Sequence, residues 1–222
     1  MQKGKFITFE GGEGTGKSTQ IKLLAAYLEK CGIKTMLSKD PGGTEIGLEL
    51  RRILRLGRVD AVAERTRKRR KHAQLVRINL TQKVWPAMER GVWAVNDRFA
   101  DSTVAYQYYG YDKKIPLPML QELYTMAVGG FKPDLTILLD LDPEVGLARS
   151  MEKNAHMSVQ ETRHESRGLE FHQRLRRGYL EIAEQEPERI VVLNADKSIE
   201  ELHRDVVKIV SERFGLDKCP TK

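Results

Sequence analysis

Residues 11–18 read GGEGTGKS and follow the apolar run KFITFE. The spacing G-x-x-x-x-G-K-S is that of a phosphate-binding loop, and it constrains the fold more than any other feature. A buried strand ends at Glu10, the glycines turn the chain, and a helix starts near Lys17. Backbone N–H groups in such a turn converge on a phosphate chain, and the helix N-terminus adds positive potential. Lys17 can reach the β- and γ-phosphates, and the Ser18 hydroxyl can ligate magnesium. A glycine-rich turn with no ligand is the alternative. It sits poorly with a strand pattern before the loop and an amphipathic helix pattern after it.

The chain of 222 residues is long enough to bury a sizeable core and falls within the range of one α/β domain. No stretch approaches the ~18 apolar residues of a membrane span. MQKGKFITFE runs straight into the first strand, so no leader is expected. Cys31 and Cys219 match no metal spacing and read as free thiols of a reducing cytoplasm. The net charge of +7 invites a nucleic-acid reading, but Arg65, Arg67, Lys68, Arg69, Arg70 and Lys71 supply six positive charges within ERTRKRRKH. Basicity that local reads as a solvated helix face or mobile loop, with phosphate or nucleic-acid contact as the alternative.

Strand and helix patterns alternate along the chain. Strands are expected at 6–10, 35–38, 92–97, 134–141 and 189–194. Helices are expected at 17–31, 45–56, 73–90, 101–110, 116–128, 143–152, 168–184 and 199–214. Pro86 should kink or divide the third helix. DLTILLDL is the most apolar strand and is expected at the sheet centre. Residues 153–167 lack apolar periodicity and read as mobile, and the tail 215–222 as frayed. The predicted fold class is α/β: a five-stranded parallel sheet with helices on both faces, as one domain over 1–222. Ligands then sit beyond the carboxyl ends of the strands, which places GGEGTGKS, DPGGT, NDRF and NADKS on one rim.

The rim motifs narrow the chemistry. Asp97, at a strand end, suits magnesium. Arg98 beside it presents a planar fork that can bridge phosphate oxygens. Asp101 and Thr103 read as helix caps. Gln107 offers a donor and an acceptor to a pyrimidine edge. Tyr106 alone would read as a core tyrosine.

FEGGEGTGKSTQ, KDPGGTEIG, NDRFADSTVAYQ, PDLTILLDL and RHESRGLEFHQRLRRGYLEIA together resemble the thymidylate kinases, from one end of the chain to the other. The pairing of D-P-G-G-T with D-R-F-x-x-S-T-x-A-Y-Q is the specific part. The resemblance implies a P-loop nucleoside monophosphate kinase fold and a small mobile lid near 150–167. It further implies transfer of the ATP γ-phosphate to dTMP with magnesium, in a cytoplasmic homodimer. By motif, ATP would be cradled by Gly11, Gly12, Glu13, Gly14, Thr15, Gly16, Lys17, Ser18 and Thr19. Lys17, Arg98, Asp97 and Glu13 would be catalytic, with Glu13 facing the acceptor, and Ser18 and Asp97 would hold the metal. Asp40, Pro41, Arg51, Arg77, Arg98, Ser102, Tyr106 and Gln107 would bind dTMP.

The loop carries no arginine of its own, as in the bacterial type of the family, whose basic residues lie in the lid. Arg149, Lys153 and Arg163 are the candidates here. Two departures stand out. After the lid the chain reads Thr162-Arg163-His164-Glu165, one acidic residue short of the family pattern. ERTRKRRKH at 64–72 replaces an apolar helix near the base pocket and dimer interface, which leaves Arg77 or a residue near Gln74 as the base-side group. A kinase for another nucleoside monophosphate, or a weakly active thymidylate kinase, is the alternative within enzymes. A GTPase-like switch would want N-K-x-D and D-x-x-G motifs, which NADKS and DRFA do not supply.

Overall fold

The computed structural model describes residues 3–40, 73–155, 167–216 and 219. Five strands form one parallel sheet: β1 (Phe6–Gly11), β2 (Thr35–Lys39), β3 (Trp93–Asp97), β4 (Leu135–Asp140) and β5 (Ile190–Asn194). Their spatial order is β2-β3-β1-β4-β5. β1 is therefore central, and the apolar β4 lies one place toward the edge. The expectation that DLTILLDL takes the centre is corrected. β4 is covered on both sides by strands and on both faces by helices, which accounts for its composition without the central place.

Period-two alternation along the strands builds two cores. Ile7, Phe9, Val95, Leu135, Ile137 and Leu139 face α1 (Lys17–Lys30) and α7 (Ile199–Phe214). On the opposite face, Phe6 and Ala94 pack against a helical stretch over 73–89, here α2, and against α4 (Leu117–Val128). Leu138 on that face packs against α3 (100–109) and α6 (Leu169–Gln185). Thr8 and Thr136, also on that face, share a hydrogen bond of 2.7 Å. The remaining helix among the described residues is α5 (Pro143–Ala155).

Pro86 does not divide α2, which is helical without interruption over 73–89. The helix widens into a π turn at Leu80–Val84 just before it, and Trp85 N–H donates to Leu80 O. The looser turn relieves the crowding that a proline ring imposes on the preceding turn. α3 changes in the same way, from an α segment at Ala100–Val104 to a π turn at Ala105–Tyr109. α7 has the bounds expected from sequence because a local device sets its start: Ser198 and Glu201 form a reciprocal capping box.

Two expectations about the cysteines and the tail are corrected. Cys31 and Cys219 are joined as a disulfide with Cα atoms 5.1 Å apart, so neither is a free thiol. The tail is correspondingly not frayed throughout: Leu216 and Cys219 pack against the α1–α7 core. The expected helix at 45–56 and the basic run at 65–71 lie outside the described residues, as does 156–166 of the expected lid. Residues 150–155 belong to α5. Among the described residues, no helix is long and apolar enough to cross a membrane.

Candidate active site

The phosphate-binding loop leaves β1 at Gly11 and enters α1 through Gly16, whose left-handed backbone (φ 86) needs no side chain. α1 thus begins without a side-chain cap, and its first N–H groups face the rim. Lys17 is buried and folds back over the loop. Its Nζ donates to Gly11 O at 3.1 Å, Gly12 O at 2.5 Å and Thr15 Oγ1 at 3.0 Å. Burial, and then the charge of Arg98, lower its pKa to about 8. Ser18 and Thr19 are exposed on the first turn of α1.

The sheet's alternation sorts the rim carboxylates. Asp97 follows Val95 onto the α1 face and pairs with Lys39 at 3.3 Å. Burial would raise its pKa, but Lys17, Lys39 and Arg98 together hold it below the ordinary value. Its other oxygen, Oδ1, is buried with no hydrogen-bond partner among the described residues. Glu10 and Asp40 lie on the opposite side, both buried.

Arg98 joins the two sides. Its Nη1 donates to Gly11 O (2.9 Å), Ser102 Oγ (3.2 Å) and Tyr179 Oη (3.0 Å), and its Nη2 to Glu13 Oε1 (3.3 Å). The Tyr106 hydroxyl donates to the same Glu13 oxygen at 2.6 Å, and the guanidinium lies 5.0 Å from the Tyr106 ring centre. Burial opposes the guanidinium's charge, yet Tyr106, Tyr179, Glu13 and Asp97 raise its pKa above the ordinary value. Tyr106 is therefore a core residue by burial and a site residue by its hydroxyl. Gln107, half-buried, follows it on the π turn of α3.

Beneath this cluster sits Glu10, which in the sequence is no more than a strand end. It accepts from Phe99 N (2.7 Å), Ser102 Oγ (2.5 Å) and Tyr179 Oη (3.3 Å). Burial, and then Asp101, push its pKa up to about 7. The signal that could have found it is an acidic residue ending an otherwise apolar strand. Asp40 is expected from its motif, but its two partners are not. Asn79 Nδ2 donates to Oδ1 and Asn96 Nδ2 to Oδ2, each at 2.9 Å. Burial raises the Asp40 pKa to about 7 against both hydrogen bonds.

Other expectations shift. Asp101 and Thr103 are not caps: α3 begins at Ala100 with Phe99 as its N-cap. Asp101 instead makes a two-pronged ion pair with Arg189, Oδ2 to Nη1 at 2.8 Å and Oδ1 to Nη2 at 2.9 Å. Arg77 is exposed and donates to Ala127 O at 3.0 Å. Arg149 pairs with Asp196 of NADKS at 2.8 Å and donates to Ala195 O, so it ties α5 to the loop after β5. Lys153 lies on α5. Pro41, Arg51 and Arg163 fall outside the described residues. A narrow cleft opens between Gly11, Gly12 and Thr15, the end of β4, and α6. On its far wall Arg176 grips Asp140 through Nε (2.7 Å) and Nη2 (2.9 Å).

The rim thus holds a phosphate loop, a buried lysine and a clamped arginine beside a carboxylate. This is equipment for moving a phosphoryl group between two anionic molecules. Comparisons with known proteins agree. A family model described as thymidylate kinase matches residues 9–206. A thymidylate kinase of Maridesulfovibrio salexigens is 44% identical over 220 residues, covering 96% of this chain and 97% of that protein. One of Caulobacter vibrioides is 40% identical over 216 residues, covering 97% of this chain and all of that protein. A crystal structure of thymidylate kinase from Ehrlichia chaffeensis superposes with a TM-score of 0.72 at 28% identity, covering 94% of this chain and 99% of that one. With its loop, its Asp-Arg strand end and nearly its whole length accounted for in this way, the chain belongs to the thymidylate kinase family.

Proposed function

We propose that the protein transfers the γ-phosphoryl group of ATP to the 5′-phosphate of dTMP, giving dTDP and ADP. The observation that carries this reading is the placement of Arg98. Its guanidinium is held against the loop carbonyl of Gly11 and against Glu13. There it can address the transferring group and the acceptor phosphate together.

An acceptor phosphate oxygen attacks the γ-phosphorus as the bond to the β–γ bridging oxygen breaks. Negative charge spreads over the equatorial oxygens and collects on the departing ADP. Lys17 answers the charge on the ATP side and Arg98 that on the transferring group. Glu13, hydrogen-bonded by Tyr106, holds the guanidinium in place. Asp97, with its unpartnered buried oxygen, and the exposed Ser18 hydroxyl suit a hard cation, so these two would hold magnesium. When bound, it neutralises part of the triphosphate charge.

Residues 1–222 act as one kinase domain in the cytoplasm, where both nucleotides are available. Basic residues of the 150–167 stretch supply further phosphate neutralisation. A homodimer is part of the proposal, supported by α4. That helix is largely apolar but buries only Leu120, Ala127 and Val128, and leaves Met126 66% exposed. Light scattering at micromolar concentration should give twice the monomer mass. The activity is tested by coupled ADP release with ATP and each of dTMP, dUMP, UMP, CMP, AMP and GMP. dTMP should be the best acceptor, with dUMP slower because one methyl group is worth ~1–3 kcal/mol of discrimination. UMP or AMP outrunning dTMP would overturn the reading.

A further inference from the structure

Arg98 carries the mechanism in a conformation it would not choose by itself. Its backbone is left-handed, with φ 70, a region that side chains other than glycine rarely adopt. Two hydrogen bonds hold it there. Arg98 N donates to Phe9 O at 3.0 Å, and Arg98 O accepts from Asn96 Nδ2 at 2.7 Å. The first anchors the peptide to β1. The second comes from a side chain, and that side chain is itself fixed from outside.

Asn96 is fully buried on β3, level with Thr8 on one side and Ser38 on the other. Its amide nitrogen serves two acceptors, Arg98 O and Asp40 Oδ2. The orientation is determined by them. Turned over, its carbonyl would face a carboxylate and another carbonyl. The arrangement leaves Asn96 Oδ1 buried without a partner among the described residues, a cost that the donor side has to offset. Asp40 is fixed in turn by Asn79, and Asn79 Oδ1 accepts from Ser38 Oγ at 2.9 Å. Ser38 on β2, Asn79 on α2, Asp40 just past β2 and Asn96 on β3 thus form one hydrogen-bonded relay, and its last member alone reaches the carbonyl of the residue whose guanidinium meets the phosphoryl group.

We infer that Asn96 is a positioning residue for phosphoryl transfer: its amide, aimed by Asp40, holds Arg98 in the left-handed conformation that directs its guanidinium at the transferring group. The inference rests on the kinase reading above. Without the amide, Arg98 relaxes toward commoner backbone angles and the fork swings off line. ATP docking, which the loop backbone dominates, is little changed.

The test is a double-variant cycle on the full chain, measuring kcat with dTMP, ATP affinity by calorimetry, and thermal unfolding. Asn96→Leu keeps the branched shape and the number of heavy atoms and removes the donor. It should lower kcat roughly tenfold while ATP affinity stays within about twofold. In an Arg98→Lys background the same change should cost less than about twofold more, because the group it positions is already compromised. Asn79→Leu, one step further back, should show the same dependence on Arg98 with a smaller loss, and it stands in if Asn96→Leu does not fold. A lowered melting temperature with kcat intact, or an equal tenfold loss in both backgrounds, overturns the inference. A parent chain that turns over no monophosphate overturns the kinase reading and this inference with it. An active parent with a fully active Asn96→Leu variant overturns the inference alone.

Discussion

Gly14 and Gly146 meet backbone to backbone. A β-carbon on Gly14 would lie 1.9 Å from the Gly146 carbonyl oxygen, and one on Gly146 would lie 2.5 Å from the carbonyl oxygen of Glu13. The phosphate loop is thereby seated on the first turns of α5, the helix that leads toward the lid region.

Gly146→Ala should push the loop off that seat. A methyl group forced into backbone contact costs ~1–3 kcal/mol. The expected outcome is a lower melting temperature together with a raised KM for ATP, while KM for dTMP moves less. Steady-state kinetics with each substrate varied in turn checks it. A variant with unchanged ATP KM would show that the loop tolerates the displacement.

Glu10 makes stability depend on pH in a defined direction. Its pKa is about 7 in the folded protein against an ordinary 4.5. Between those values the native state keeps a proton that the unfolded chain has released. Stability therefore falls as pH rises through that window and levels off above it. Asp40, raised from 3.8 to about 7, acts in the same sense. Glu10→Gln mimics the protonated form and removes the Glu10 share. Relative to the parent it should gain up to ~3 kcal/mol on going from pH 5 to pH 8, at 1.4 kcal/mol per pKa unit. Urea unfolding of both proteins at the two pH values measures this, and parallel pH profiles would rule it out.

Lys17→Ala should lower kcat by ~10²–10³ because the developing phosphate charge is no longer stabilised. The cooperative thermal transition should survive. Among the described residues the lysine amine bonds to Gly11 O, Gly12 O and Thr15 Oγ1, all in its own loop. Activity within a few fold of the parent would remove Lys17 from the mechanism.

Arg98→Lys keeps a charge and loses the fork. A lysine amine cannot serve Gly11 O, Ser102, Tyr179 and Glu13 at once, so some destabilisation is expected. The mechanism requires more: kcat down by ~10² with ATP affinity changed far less, and KM for dTMP raised. If Arg98 only braces the fold, the melting temperature drops and kcat stays near normal. Both measurements on one preparation separate the cases.

Features under local control are legible in the chain alone. The loop spacing, the apolar alternation of β1 and the reciprocal cap of α7 at Ser198 and Glu201 act within a few residues, so a linear reading suffices for them. The same holds for the Asp-Arg pair that ends β3. Which distant group completes each buried polar residue is another matter, and it is settled in three dimensions. Asp101 meets Arg189 across 88 residues, Glu10 meets Tyr179 across 169, and Cys31 meets Cys219 across 188. Asn79 belongs to no motif, and Asn96 opens NDRF without a role of its own there; both become legible only once sheet order brings β2 beside β3. A buried carboxylate must find donors, and the chain states that need at each position. Which donors answer depends on how strands are ordered and which face each residue takes, and those are set by packing of the whole sheet against its helices.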